Sequence, residues 1–157
     1  MEIFPFGVGE GAAVLKLRMN RDTGGEASLV EGFRSNDSYK QHSNVVVLGP
    51  ENYPEELLET KVGVLKVDVE GAELDVFKGM FEKMKVDRPY VLTEILPAIR
   101  NGELIEFRMG RQKEIAELFE KLGYRVERIG LDGGLTVVDL SEPWDEVKDS
   151  NFLLSPQ

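Results

Sequence analysis

The sequence predicts an α/β fold built on a mostly parallel sheet, closed by a C-terminal antiparallel strand pair, and three observations carry that prediction. The apolar run from Val62 ends on Asp68, and helical spacing begins after Gly71. A second apolar run, Tyr90 to Ile95, carries Glu94 near its end and is again followed by a helical stripe. Gly130, Asp132, Gly133 and Gly134 then separate two further strand patterns, Arg125 to Ile129 and Leu135 to Leu140, that read as an antiparallel pair. Strands that alternate with helices favour parallel neighbours, since a parallel pair needs a crossover connection.

In chain order, residues 2–8 and 12–19 read as two short strands around the turn Gly7-Val8-Gly9-Glu10-Gly11. Pro5 suits an edge or an end. From Asn20 to Asn44 the chain is polar and rich in glycine and serine, which predicts a surface loop. Val45 to Leu48 reads as a brief strand, Pro50 to Tyr53 as a turn, and Pro54 to Lys61 as a short helix with Leu57 and Leu58 inward. After Gly71, Leu74, Phe77, Met80, Phe81 and Met84 recur at spacings of three and four, so one helical face is buried. Pro89 stops that helix. Leu96 to Gly110 is a long connection. Ile115, Leu118, Phe119 and Leu122 form the next helical stripe, with Lys121 in its last turn and Gly123 just past its end. Trp144 and Phe152 are expected to anchor the tail on the core.

Composition bounds the function. The 157 residues, 41% hydrophobic and 31% charged, describe one ordinary globular domain, residues 1–157. With 29 acidic against 19 basic residues the net charge is −10, which disfavours nucleic acid and anionic membrane surfaces as partners. There is no cysteine, and His42 is the only imidazole, so a metal would have to be a hard cation held by carboxylates. No apolar run reaches the roughly 20 residues of a membrane span, and the N-terminus lacks a signal-peptide pattern. The expectation is a soluble, cytoplasmic protein.

The stretch Leu65-Lys66-Val67-Asp68-Val69-Glu70-Gly71-Ala72-Glu73 resembles the signature block of FkbM-type methyltransferases. Arg88-Pro89, Leu122-Gly123-Tyr124 and Asn151-Phe152-Leu153-Leu154 extend the resemblance towards the end of the chain. It implies a Rossmann-like class I methyltransferase sheet, S-adenosylmethionine as cofactor, and O-methylation of a sugar or polyketide-type hydroxyl. Phe6-Gly7-Val8-Gly9 resembles the family's segment after its third strand, and Gly24-Gly25-Glu26-Ala27-Ser28 the loop that follows. The resemblance thus implies an N-terminally truncated domain, without its first two strands and its main cofactor turn. The Gly7–Gly11 turn is then either a plain turn or a cofactor turn in its own right. The family's strand order leaves Val62 to Val67 without a neighbour, so the expectation includes homodimerisation, pairing with a separate N-terminal half, or insertion of the chain's own N-terminal strand.

Candidate site residues sit where strand ends meet a ligand crevice. Asp68 can orient a hydroxyl, take its proton or help bind a cation; its bland alternative is helix capping. Glu70 is a second candidate, against a simple first-turn charge, and Gly71 allows close approach of a cofactor. Glu94 is expected to face Asp68, where two close carboxylates would raise one pKa or recruit a cation. Catalytic roles are therefore assigned to Asp68, Glu70 and Glu94, a cofactor contact to Gly71, and a divalent cation to Asp68 with Glu94. Glu73 and Asp75 read as helix-start and surface charges, and Arg100, Arg108 and Arg111 as solubilising residues or an anion site. Two other classes stay open: a non-catalytic remnant or interaction module offering its sheet edge, and a carboxylate-lined cation module.

Overall fold

The structure, a computed structural model, describes residues 3–19, 27–31, 41–98, 104–144 and 146–157. Gly24 to Glu26, Arg100 and Asp145 lie outside the described residues.

Two sheets form. In the smaller one, β3 (Gln41–Leu48) lies between β1 (Gly7–Val8), parallel to it, and β2 (Ala13–Met19), antiparallel. Pairing of Gln41, His42, Ser43 and Asn44 with Met19, Arg18, Leu17 and Lys16 of β2 extends β3 back to Gln41, into the stretch predicted as loop. After it come a 3-10 turn at Pro50–Asn52 and the short helix α1 (Glu55–Glu59). Leu57 of α1 packs on the core, whereas Leu58 is exposed, contrary to expectation.

The larger sheet has the order β4 (Val64–Val67), β5 (Tyr90–Glu94), β8 (Asn151–Pro156), β6 (Tyr124–Ile129), β7 (Leu135–Val137). Here the expectation of a mostly parallel sheet is wrong. Among the described residues only β1–β3 and β4–β5 pair in parallel; the other four ladders are antiparallel. The cause is β8, which returns from the end of the chain and enters between β5 and β6, antiparallel to both. It separates two strands that a helical crossover would otherwise make parallel neighbours. Among the described residues β4 has one partner and forms an open edge, and the N-terminal strand β1 pairs in the other sheet rather than beside it.

The helix after Gly71 is two helices, α2 (Glu73–Gly79) and α3 (Phe81–Asp87), broken at Met80. α4 (Ile105–Leu122) ends as predicted, with Gly123 at φ 66 in the left-handed conformation. These helices cover one face of the larger sheet, where Val91, Thr93, Phe152 and Leu154 are buried. Phe77 meets the Phe119 ring edge-on at 4.9 Å, and Trp144 meets Phe152 at 5.1 Å, so the tail is anchored as expected. The opposite face carries Lys66, Leu92, Glu94, Leu153 and Asn151, all exposed or half-buried. At the back of the sheet Arg88, itself at φ 54, donates to the carbonyls of Leu122, Gly123 and Gln157.

α2 also carries the glycine turn. A β-carbon at Gly79 would lie 2.2 Å from the Gly9 carbonyl oxygen, so only glycine admits this approach. The Tyr53 hydroxyl donates to the same carbonyl at 3.3 Å. Burial, with Glu51 nearby, pushes the Tyr53 phenol up to about 12, against the smaller opposing effect of that hydrogen bond. Among the described residues no helix is long and apolar enough to cross a membrane.

Candidate active site

The parallel register of β4 and β5 sets Val67 beside Thr93, so the next residues, Asp68 and Glu94, emerge together at the strand ends. Their carboxyl groups are within hydrogen-bonding reach. Burial, then the charges of Asp68 and Glu70 and the hydrogen bond to Asp68, raise the Glu94 pKa; Lys66 opposes the shift. Two of the predicted catalytic carboxylates, Asp68 and Glu70, therefore act on the third, Glu94. Lys66 was not among the predicted residues, yet its ammonium lies 2.8 Å from an Asp68 oxygen. Strand alternation was the available signal, since positions 66 and 68 share a face.

The turn that follows is tightly specified. Glu70 and Gly71 take φ values of 50 and 101, two successive left-handed residues between strand and helix. The Gly71 N–H donates to the Glu73 carboxylate at 3.0 Å. Glu73 is thus a buried turn-closing group, not the surface charge expected, and burial raises its pKa against backbone hydrogen bonds and the Arg111 charge. The hydroxyl of Ser28, fully buried, donates to the Glu70 carbonyl at 2.6 Å and accepts from the Val30 N–H at 3.2 Å. No local sequence pattern gave this clasp, which joins residues 42 positions apart.

α4 secures the chain after Glu94. Arg108 donates to the Pro97 carbonyl at 2.9 Å and Gln112 to that of Leu96 at 3.1 Å. Arg111 pairs with Asp75 at 2.5 Å, so both arginines are engaged by the fold. Beyond Ala72, a cleft of about 300 Å³ opens between Asp75, Arg111, the glycine turn, Leu15 and Val47.

The expected cation site does not form: among the described residues no group of three or more acidic or histidine side chains is arranged to hold a metal. Lys66 already supplies a positive charge to Asp68. His42, on β3, is exposed and opposite Arg18.

The model of the FkbM methyltransferase domain matches residues 15–126. This chain belongs to the FkbM methyltransferase family. No curated protein and no solved structure matches it. Methyltransferases of this family typically use S-adenosylmethionine. The described residues do not fit a cradle for it. A cofactor turn should run from a strand into a helix N-terminus, whereas the Gly7–Gly11 turn runs into β2. The Gly9 carbonyl is turned inward onto Gly79 and Tyr53, and the N–H of Gly71, the residue expected to allow close approach of a cofactor, is taken by Glu73.

Proposed function

We propose that this FkbM-family chain is the acceptor-binding part of an S-adenosylmethionine-dependent O-methyltransferase acting on a sugar or polyketide-type hydroxyl. The observation that carries the reading is the meeting of Asp68, Glu70 and Glu94 at the ends of two parallel strands, with Glu94 raised in pKa. A carboxylate so tuned is a better base near neutral pH than an ordinary glutamate. Glu94 receives the acceptor hydroxyl and takes its proton as the oxygen becomes nucleophilic, while Asp68, held by Lys66, fixes the Glu94 carboxyl. Glu70 adds negative charge that favours the proton's arrival. The cofactor cradle is supplied by elements other than those described here.

Methyl transfer to a panel of hydroxylated acceptors, by the chain together with the elements that supply the cofactor cradle, tests the reading. Glu94→Gln is expected to lower turnover by about 10²- to 10⁴-fold, the usual range for a positioned base. Equal rates would remove Glu94 from the chemistry.

A second reading is favoured by the open β4 edge, where Val64 is 61% exposed and β5 is the one partner strand among the described residues. It makes the chain an interaction module that pairs through β4 with a second copy or a separate half. Calorimetric titration with S-adenosylhomocysteine tests a premise that both readings share: micromolar binding, roughly −8 kcal/mol, would overturn the absence of a cradle and make the chain a complete enzyme. Concentration-dependent dimerisation of a folded chain that binds no hydroxylated acceptor would support edge pairing over the acceptor-site reading.

A further inference from the structure

We propose that Arg128, with the Thr136 hydroxyl and the Trp144 indole N–H beside it, forms a binding site for the carboxylate group of a small ligand, separate from the Asp68–Glu94 pair.

Six arginines lie among the described residues, and five are engaged. Arg18, Arg111 and Arg125 pair with carboxylates, while Arg88 and Arg108 donate to backbone carbonyls. Arg128 alone has neither an ion pair nor a hydrogen bond among the described residues. That is unexpected in a chain with 29 acidic residues against 19 basic ones. Its guanidinium rests on aromatic rings instead. Cζ lies 5.6 Å from the Trp144 ring centre and 5.7 Å from that of Phe152, both within the range of a cation–π contact. Trp144 is only 6% exposed, and its buried indole N–H has no partner among the described residues. A buried donor is costly to leave unpaired, so this one calls for an acceptor.

The strand register places the third group. Arg128 lies opposite Phe152 of β8 on one side and Thr136 of β7 on the other, and opposed residues share a sheet face with β-carbons about 5 Å apart. Thr136 is exposed, and its hydroxyl makes no hydrogen bond among the described residues. Phe152 is buried on the helix-covered face, so this row points away from Glu94, which pairs with Asn151. β6 runs in the same direction as β4 and β5, and Arg128 is its last residue but one. The site therefore stands at the carboxyl ends of the parallel strands, where α/β sheets take their ligands.

N–H and O–H donors around a positive charge fit an oxyanion. Glu127, the neighbouring carboxylate on β6, is already paired with Arg125 at 2.8 Å. A carboxylate suits the site better than a phosphate does. It is planar, its two oxygens match the paired N–H groups of a guanidinium, and its single charge meets less repulsion from a chain of net charge −10 than a dianion would.

The test is a two-dimensional NMR titration of the protein with sodium acetate, at an ionic strength held constant with sodium chloride, following the indole N–H of Trp144 and the Nε–H of Arg128. Trp144 is the only tryptophan in the chain, so its signal is unambiguous. Both signals should shift saturably with acetate and stay in place with chloride. Arg128→Met, which keeps an aliphatic chain against the rings, should abolish the saturation. Arg128→Lys should weaken binding about tenfold, because a point charge lacks the paired N–H groups. Thr136→Val, at an exposed position, should weaken it about fivefold, the effect of one hydrogen bond. These two milder variants keep the test decisive should Arg128→Met fail to fold. Shifts that are absent, that follow ionic strength whatever the anion, or that survive the Arg128 substitutions unchanged would overturn the site. Tighter binding of inorganic phosphate than of acetate would overturn the choice of a carboxylate.

Discussion

Asp68 and Glu94 stand side by side at the ends of β4 and β5, their carboxyl groups within hydrogen-bonding reach. The two strands are joined by one crossover through α2 and α3, and their parallel register fixes the pair. Two carboxyls so close are comfortable only with a shared proton or a compensating cation, and here Lys66 and the raised Glu94 pKa supply both.

The raised Glu94 pKa fixes a pH dependence of stability. The unfolded chain loses this proton near the ordinary value of 4.5, the folded chain only at higher pH. The group's contribution is therefore full below 4.5 and is lost as pH rises through the folded value. Melting curves of the wild type and Glu94→Gln should nearly coincide below pH 4.5, with the variant gaining relative stability as pH rises towards neutrality. A gap that stays constant across that range would contradict the shift.

Glycines at two helix positions should respond in opposite directions. Gly79→Ala drives a methyl group into the Gly9 carbonyl and should destabilise by about 1–3 kcal/mol. Gly110→Ala, inside α4 with open space around it, should stabilise by about 0.5–1 kcal/mol. Urea midpoints of the two variants provide the comparison.

Ser28→Ala removes the clasp on the Glu70 carbonyl and leaves that carbonyl and the Val30 N–H without their buried partner. A loss of about 1–3 kcal/mol is expected. Amide exchange at Val30 should quicken while exchange in β6 is unaffected beyond the global change, which marks the opening as local.

Phe77 is fully buried between α4 and the sheet and contacts Phe119. Phe77→Ala should cost about 3–5 kcal/mol, read from chemical denaturation.

Local pattern carried most of the elements. The stripe of Ile115, Leu118, Phe119 and Leu122 with Gly123 behind it gave α4, and the apolar run ahead of Asp68 gave β4, because burial periodicity and cap chemistry act over a few residues. The pairing of Asp68 with Glu94 was legible for the same reason, as both end strands. Pairing partners were not. Nothing within Asn151-Phe152-Leu153-Leu154 says that it enters between β5 and β6, so the sheet's antiparallel character and the neighbourhood of Asn151 and Glu94 emerged only with the fold. The burial of Glu73 was missed because a glutamate in a first helical turn reads as solvated, while here the Gly71 N–H needs its carboxylate.

Glu70 occupies a left-handed position that glycine or asparagine adopts at lower energy. A selection that scored this protein for folding alone should therefore drift away from glutamate at position 70, and one that scored it for turnover should return to it. The divergence between those two selections would measure, at one codon, how much conformational ease the sequence gives up for its chemistry.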